Sequence, residues 1–369
     1  MSNQPAVTGP DGVARPYIGG QALIEGVMMR SPHAFAAVVR RRDGSLLVRE
    51  EPMKDLRKGP LALPLARGVV ALVEALKLGS RALRFSAEIY ERDLDAEEAG
   101  KKAPKPGLLS LLSLPVIALV TNEPELPAGS APAGDAKNRL MTWLSIGFAL
   151  LLFVALPQAF AQGLSSGLGL GLDIRSSQFQ LLTGIAKITI VVGYMLAIRR
   201  IPEIYRVFQY HGAEHKSIYA YEAGEVLGLD AARAKTTLHP RCGTTFIVMV
   251  ALVSIVVFSV LGPFLPQIGL GRLADNVFFF VMKLPFLPVI AAITFELQRV
   301  LARHATKGPL RFLLWPGFLV QKITTIEPED AQLEVALAAL SVTAKREHAP
   351  EPTPTGERSY ADFGTLVAG

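Results

Sequence analysis

The sequence predicts an α-helical integral membrane protein, with about four transmembrane helices and a small N-terminal α+β domain in the cytoplasm. Three observations predict it. Half of the 369 residues are hydrophobic and the mean hydropathy is +0.34, high for a chain that folds in water. Four runs of about twenty mostly apolar residues lie beyond residue 139, each long enough to cross ~30 Å of hydrocarbon as a helix. The cations between and after these runs are also distributed unevenly, as the positive-inside rule expects.

Residues 1–16 are polar and carry Pro and Gly, with no apolar core; they read as a flexible tail and not as a signal peptide. Residues 17–90 read as the cytoplasmic domain. Ala34–Arg41 and Ser45–Glu51 are strand-like, and Asp43-Gly44 between them suits a hairpin turn. Gly19-Gly20 and Gly26 bracket another short apolar run, a third strand or a tight turn. Pro60–Tyr90 reads as a helix, because Leu65, Val69, Leu72, Leu76 and Leu83 recur at helical spacing. Its opposite stripe of Arg67, Glu74, Lys77, Arg81, Arg84 and Glu88 suits either a membrane surface or a packed domain helix. Residues 91–139 are charged and Pro-rich, a linker with one apolar segment over 108–120 that is too short to span.

The four spans are Leu140–Ala161, Gln178–Ile198, Thr244–Leu265 and Asn276–Leu297. Lys187 and Lys283 lie inside two of them, where a cation is costly and turns toward the bundle interior or an interface. Pro285 and Pro288 should kink the fourth. The segment 199–243 and the residues after the fourth span are rich in Arg and Lys, whereas the loops 162–177 and 266–275 hold only Arg175 and Arg272 as cations. This asymmetry places both termini and residues 199–243 in the cytoplasm. Residues 298–342 read as an interfacial C-terminal segment. In it an apolar patch, Phe312–Val320, is broken by Pro316-Gly317, and a short helix runs from Asp330 to Leu340. The Pro- and charge-rich residues 343–369 read as a disordered tail.

The net charge of +6 fits basic loops facing the anionic lipid of a bilayer. No nucleic-acid partner is expected, since no basic stripe interleaves with aromatics. A single cysteine excludes an internal disulfide, and a cytoplasmic position keeps it reduced.

The chemistry-bearing residues are concentrated in the polar island Phe208–Phe246. It holds three of the six histidines, His211, His215 and His239, and the only cysteine, Cys242. His211-Gly-Ala-Glu214-His215 is an H-x-x-E-H pattern. On a helix its histidines stand one turn apart and face the same way, and the glutamate beside them is placed to activate water, as in the inverted zincin motif. His239-Pro-Arg-Cys242 adds a second imidazole and a thiolate, donors that suit Zn2+ among the divalent metals. Three of the four groups with one open position make a catalytic site; all four close a structural one. Lys216 and Arg241 are candidate charge stabilisers. Gln21, Glu25 and Arg30 are candidates in the N-terminal segment, although glycines and one carboxylate equally suit a small capping sheet.

The combined motifs resemble the YqhQ-like family of bacterial membrane proteins, a family of unknown function regarded as predicted metal-dependent enzymes. The matching segments are GGQALIEGVMMR at 19–30, RG at 67–68, FQYHGAEHKSI at 208–218, LHPRCGTTF at 238–246, TFELQR at 294–299, and PGFLVQKITTIEP followed by QLEVAL. The resemblance implies a multi-pass protein of the bacterial inner membrane with a His-rich cytoplasmic signature. By its pattern the site candidates are Glu25, Arg30, His211, Glu214, His215, Lys216, His239, Arg241, Cys242, Glu296 and Gln321. The expected function is a membrane-embedded, zinc-dependent hydrolase acting on a lipid-associated molecule or a membrane-proximal peptide. The alternatives are a non-catalytic scaffold or regulator with a structural metal and, on the strength of Lys187, Lys283 and the kinked span, a transporter.

Overall fold

The computed structural model describes residues 7–8, 12–54, 59–98, 143–144, 147–148, 151–266, 268–304, 309–348 and 356–368. The linker beyond Glu98, its apolar segment 108–120 and the start of the first expected span lie outside the described residues.

Residues 17–52 form an antiparallel meander. Strands β3 (Gly19–Leu23), β4 (Gly26–Arg30), β5 (Ala34–Arg40) and β6 (Leu46–Pro52) pair in sequence order. They follow a two-residue ladder between β1 (Val7–Thr8) and β2 (Ala14–Arg15), inside the segment expected to be a flexible tail. Successive side chains of a strand point to opposite faces. Val27, Met29, Val38, Leu46 and Val48 are buried on one face; Leu23, Met28, Phe35, Ala37 and Val39 are buried on the other. The sheet is therefore covered on both sides. Asp43-Gly44 makes the expected turn, with the Ser45 N–H donating to Asp43 Oδ1 at 2.9 Å.

One face is covered by the C-terminal half of helix α1 (Ala66–Glu98), through Leu78, Ala82, Phe85 and Ile89. Arg41 clamps its end by bonding Asp93 at 2.5 Å. The other face is covered by α4 (Pro202–Glu222) and α10 (Asp330–Glu347). Helix α10 begins with a capping box between Glu329 and Gln332. It continues past Leu340, where the short helix was expected to stop. It buries Leu333 and every residue from Val335 to Leu340, so it is the central core helix and not an amphipathic one.

The C-terminal tail departs most from expectation. Of residues 343–369, expected to be a disordered tail, 343–348 and 356–368 are described, and most of these lie in regular structure. Helix α10 runs to Glu347, and β7 (Gly356–Tyr360) adds a fifth strand antiparallel to β6, with Leu46 opposite Tyr360. Helix α11 (Phe363–Ala368) follows and buries Leu366 in the core. The composition is poor in strand formers, but an existing sheet edge offers a row of unpaired backbone groups, and Arg358 reaches Glu50 at 2.7 Å. The sheet-bearing domain is thus α+β as expected, but it is assembled from residues near both ends of the sequence and a middle helix.

The apolar part holds α2 (Leu156–Gly167), α3 (Ser177–Ile198), α6 (Gly243–Leu261), α7 (Arg272–Lys283) and α8 (Leu287–His304). Among the described residues, three helices are long and apolar enough to cross a membrane: Ser177–Ile198, Gly243–Phe264 and Ala274–Ala302. Pro285 sits in a 3-10 turn, Leu284–Phe286, that joins α7 to α8, and Pro288 lies in the first turn of α8. Lys283 turns inward, donating to Gln180 Oε1 at 2.8 Å and lying over the Phe258 and Phe279 rings. The N-terminal half of α1 packs on α8, and its Val69, Val73 and Leu76 are exposed. Helix α9 (Trp315–Thr324) contains the Pro316-Gly317 pair expected to break it. Proline in the first turn lacks only an N–H that has no intrahelical partner there, so it starts the helix instead.

Candidate metal centre

Helix α4 continues from α3 after a three-residue step and runs beneath the sheet. Pro202 starts it, and its core face carries Tyr210, Ala213, Ile218 and Tyr221. The H-x-x-E-H residues lie in its middle. The chain returns through α5 (Leu229–Arg233) and the stretch 234–241 to Cys242, the N-cap of α6. That return brings the thiol back over the helix turn holding the histidines.

His211, His215 and Cys242 converge: their ligand atoms lie within 4.8 Å of one another. The imidazole rings of His211 and His215 meet edge-on, 4.5 Å between centroids. Both rings are oriented from behind. His211 Nδ1 faces the Thr324 carbonyl at 2.9 Å, and His215 Nδ1 faces the Thr237 carbonyl. A carbonyl only accepts, so each Nδ1 carries a proton, and in the neutral ring Nε2 is the nitrogen left to ligate. His211 Nε2 lies 3.2 Å from Cys242 Sγ. The sulfur also takes the Thr244 N–H at 3.4 Å and neighbours Thr244 Oγ1 at 3.0 Å. His215 and Cys242 are buried, and His211 alone keeps partial exposure.

The electrostatics favour a thiolate. Burial disfavours the charged form of Cys242, but His211 and His215 outweigh it and hold its pKa well below the usual thiol value. Burial likewise opposes a His211 cation. The charge and hydrogen bond of Cys242, then Glu214 and the Thr324 carbonyl, raise its pKa to about 9. Thiolate is the form that ligates a metal. Glu214 is buried, and burial lifts its pKa above the carboxylate range against the pull of the two histidines; the Gly20 backbone bonds it. Gly20 is required there, since a Cβ would sit 2.8 Å from Glu214 Cγ and from Met29 Sδ.

His239 stands behind the centre. Its ring centroid is 5.5 Å from that of His215 and 4.7 Å from that of Tyr219, and it is not one of the three convergent groups. Burial, then the His211 charge, lowers its pKa to about 4, so it is neutral. Its Nε2 is buried without a hydrogen-bond partner, 3.7 Å from Glu222 Oε2. Gln321 fixes its backbone. It accepts from His239 N at 2.7 Å, donates to His239 O at 2.7 Å, and donates to Thr245 Oγ1 at 2.6 Å.

The remaining sequence candidates are engaged elsewhere. Lys216 pairs with Glu327 and donates to the Arg233 carbonyl at 3.0 Å. Arg241 pairs with Glu222 and lies over the Tyr17 ring. Glu25, in the β3–β4 turn at φ 51°, forms two 2.5 Å bonds with Arg206 and one with Tyr210. Arg30 pairs with Glu74, and Glu296 with Arg67. Gln21 lies against α1, within 2.4 Å of where a Gly79 Cβ would be. The N-terminal sheet thus folds over the island. It touches the centre through Gly20, while Glu25 anchors the beginning of α4 and Arg30 binds α1. The Thr237 and Thr324 carbonyls, Gly20, Tyr219 and Glu222 are neighbours that sequence reasoning missed. Backbone carbonyls leave no sequence signal, whereas Tyr219 and Glu222 could have been found on α4, about one and two turns beyond His215.

Comparison with known proteins adds a family and no activity. A family described as "Protein of unknown function (DUF1385)" matches residues 63–346. The "Uncharacterized protein YqhQ" of Bacillus subtilis (strain 168) is 31% identical over 331 residues, which cover 88% of this chain and 92% of that relative. No solved structure matches the chain significantly.

Proposed function

The chain belongs to the YqhQ-like family, the proteins of unknown function DUF1385, and from that premise we propose that it is a membrane-embedded, metal-dependent hydrolase with its site at the cytoplasmic face of the bacterial inner membrane. One observation carries the reading. Two histidines, each held at Nδ1 by a backbone carbonyl, point Nε2 toward one place shared with a cysteine sulfur. Carbonyls that fix the tautomer are the usual support behind metal-binding imidazoles. Two imidazoles and a thiolate suit zinc, and three protein ligands leave the open position of a catalytic site.

When bound, a divalent ion supplies Lewis acidity and lowers the pKa of water toward neutrality. The chain's own residues supply the rest. Cys242 and the Nε2 atoms of His211 and His215 hold the ion. Thr237, Thr324 and Thr244 orient those ligands. Glu214 accepts the proton released from water, and its burial raises its basicity for that task. Lys216 and Arg241, held by Glu327 and Glu222, do not serve as stabilisers of developing charge in this arrangement. Cys242 directly precedes a helix of membrane-crossing length, so the centre lies where that helix leaves the bilayer. A lipid-associated molecule or a membrane-proximal peptide can reach that level.

The burial of His215 and Cys242, with His239 beside them, favours a second reading: a closed structural metal that staples α4 to α6 in a scaffold. Elemental mass spectrometry of the purified protein tests the metal. The expected result is about one zinc per chain, lost in His211→Ala/His215→Ala and in Cys242→Ser. Absence of metal after zinc is supplied overturns both readings. Glu214→Gln then separates them. The hydrolase loses function in a complementation assay while retaining zinc, whereas a scaffold keeps both.

A further inference from the structure

The junction between α3 and α4 holds a second feature, on the outside of the molecule. A cavity of ≈ 730 Å³ opens there, lined by Leu196, Arg199, Arg200, Pro202, Tyr205 and Arg206. Its cations are not equivalent. Arg206 is held in a bidentate pair by Glu25. Arg199 donates one N–H to the Lys322 carbonyl at 3.2 Å and forms no other side-chain hydrogen bond or ion pair among the described residues. Arg200 is exposed and forms no ion pair or side-chain hydrogen bond among the described residues. Glu203 lies in the same first turn of α4 but not on the cavity wall.

The apolar side of the cavity continues along α3. Leu181, Ile185, Thr189, Gly193 and Ala197 are exposed at every fourth position, and the stripe ends at Leu196 and Arg200. Its lower half is made of small residues, and a Cβ at Gly193 would meet nothing within 4 Å. A shallow furrow on an apolar helix thus runs into a cavity rimmed by guanidinium groups and one tyrosine.

We propose that this furrow and cavity bind one anionic glycerophospholipid, with an acyl chain along Thr189, Gly193 and Ala197 and the phosphate on Arg199 and Arg200. Guanidinium forks match phosphate oxygens in a bidentate manner. Tyrosine is a favoured residue at headgroup depth. A free phosphate would use the arginines but not the furrow, so the apolar stripe selects the lipid. The site lies about two helical turns before His211 along α4. It rests on the membrane placement proposed above and not on the metal.

The test uses the full-length protein in detergent and native mass spectrometry, with phosphatidylglycerol and phosphatidylcholine as probes and glycerol 3-phosphate as competitor. Wild type should retain one phosphatidylglycerol in preference to phosphatidylcholine, undisplaced by glycerol 3-phosphate. Arg199→Gln/Arg200→Gln should lower that retention by about tenfold or more. Gly193→Leu, which fills only open space, should lower it with both arginines intact, and it keeps the proposal testable if the arginine variant fails to fold. Zinc content should not change in either. Equal retention of the two lipids, displacement by glycerol 3-phosphate, or wild-type retention in both variants overturns the lipid site. Release of the protein from membranes by alkaline carbonate overturns the membrane placement, and this site with it.

Discussion

At the scale of single residues, direction around a helix separates neighbours in sequence. Each residue of α4 advances about 100°. His215 returns to within about 40° of His211, and Glu214 stays about 60° to the other side. Lys216 lies about 140° away, toward Glu327. The H-x-x-E-H pattern was therefore legible as a cluster, and the same arithmetic would have removed Lys216 from it. Cys242 was legible by chemistry, because the only thiol of the chain lies in the same island. Whether His239 or Cys242 completes the set was not legible, because both lie in non-helical chain where spacing fixes no direction. The geometry groups Cys242, and not His239, with His211 and His215, and the ligand set proposed from it can be checked. His239→Ala should keep about one zinc per chain; loss of the metal would instead mean a closed four-ligand site. Gln321→Leu removes three buried hydrogen bonds and strands the His239 N–H. It should lower stability by about 2–3 kcal/mol, measured by denaturation in detergent, with zinc content unchanged.

At the scale of elements, close approach decides how the centre is assembled. Helix α4 passes the chain leaving α9 so tightly that a Cβ at Gly212 would sit 2.1 Å from the Ile326 carbonyl oxygen. This contact sits one residue from His211 and two from the carbonyl that orients it. Gly212→Ala should therefore cost about 1–3 kcal/mol and lower zinc occupancy together with the thermal midpoint. Gly163→Ala, on a helix face with nothing within 4 Å, should leave both unchanged or raise the midpoint slightly. Strong periodicity made α1 legible, and long apolar runs made α3, α6 and the α7–α8 pair legible. Helix α10 was cut short because a helix buried on all sides has no polar stripe to mark its course. Strand β7 was missed because the edge of β6, and not its own composition, makes it a strand. Truncation after His348 should expose that edge and give a less stable, aggregation-prone protein, seen by size-exclusion chromatography.

At the scale of the whole molecule, the charged candidates outside the cluster find their place as clamps between distant parts of the chain. Glu25 joins the sheet to the start of α4, Arg30 joins it to α1, and Glu296 joins α8 to α1. Sequence marked these residues but could not assign partners, because each pair spans from tens to hundreds of positions. The domain they help to brace contains residues from 17–52, from α4 and from the last forty positions. A body so assembled imposes a parity rule on everything threaded between its parts. The chain must return to the same side of a bilayer each time it contributes. In the membrane placement proposed above the rule is met between α4 and α10, since Gly243–Phe264 and Ala274–Ala302 would make an out-and-back pair. Between α1 and α4 it is not met by Ser177–Ile198 alone. In that placement one more crossing would be needed, and Leu151–Gly167 is the described helical segment positioned to make it. Reporter fusions at residues 168–173 and 266–271 should then read the far side and those at both ends the near side; a near-side signal at 168–173 would mean that the sheet and α4 cannot share a compartment.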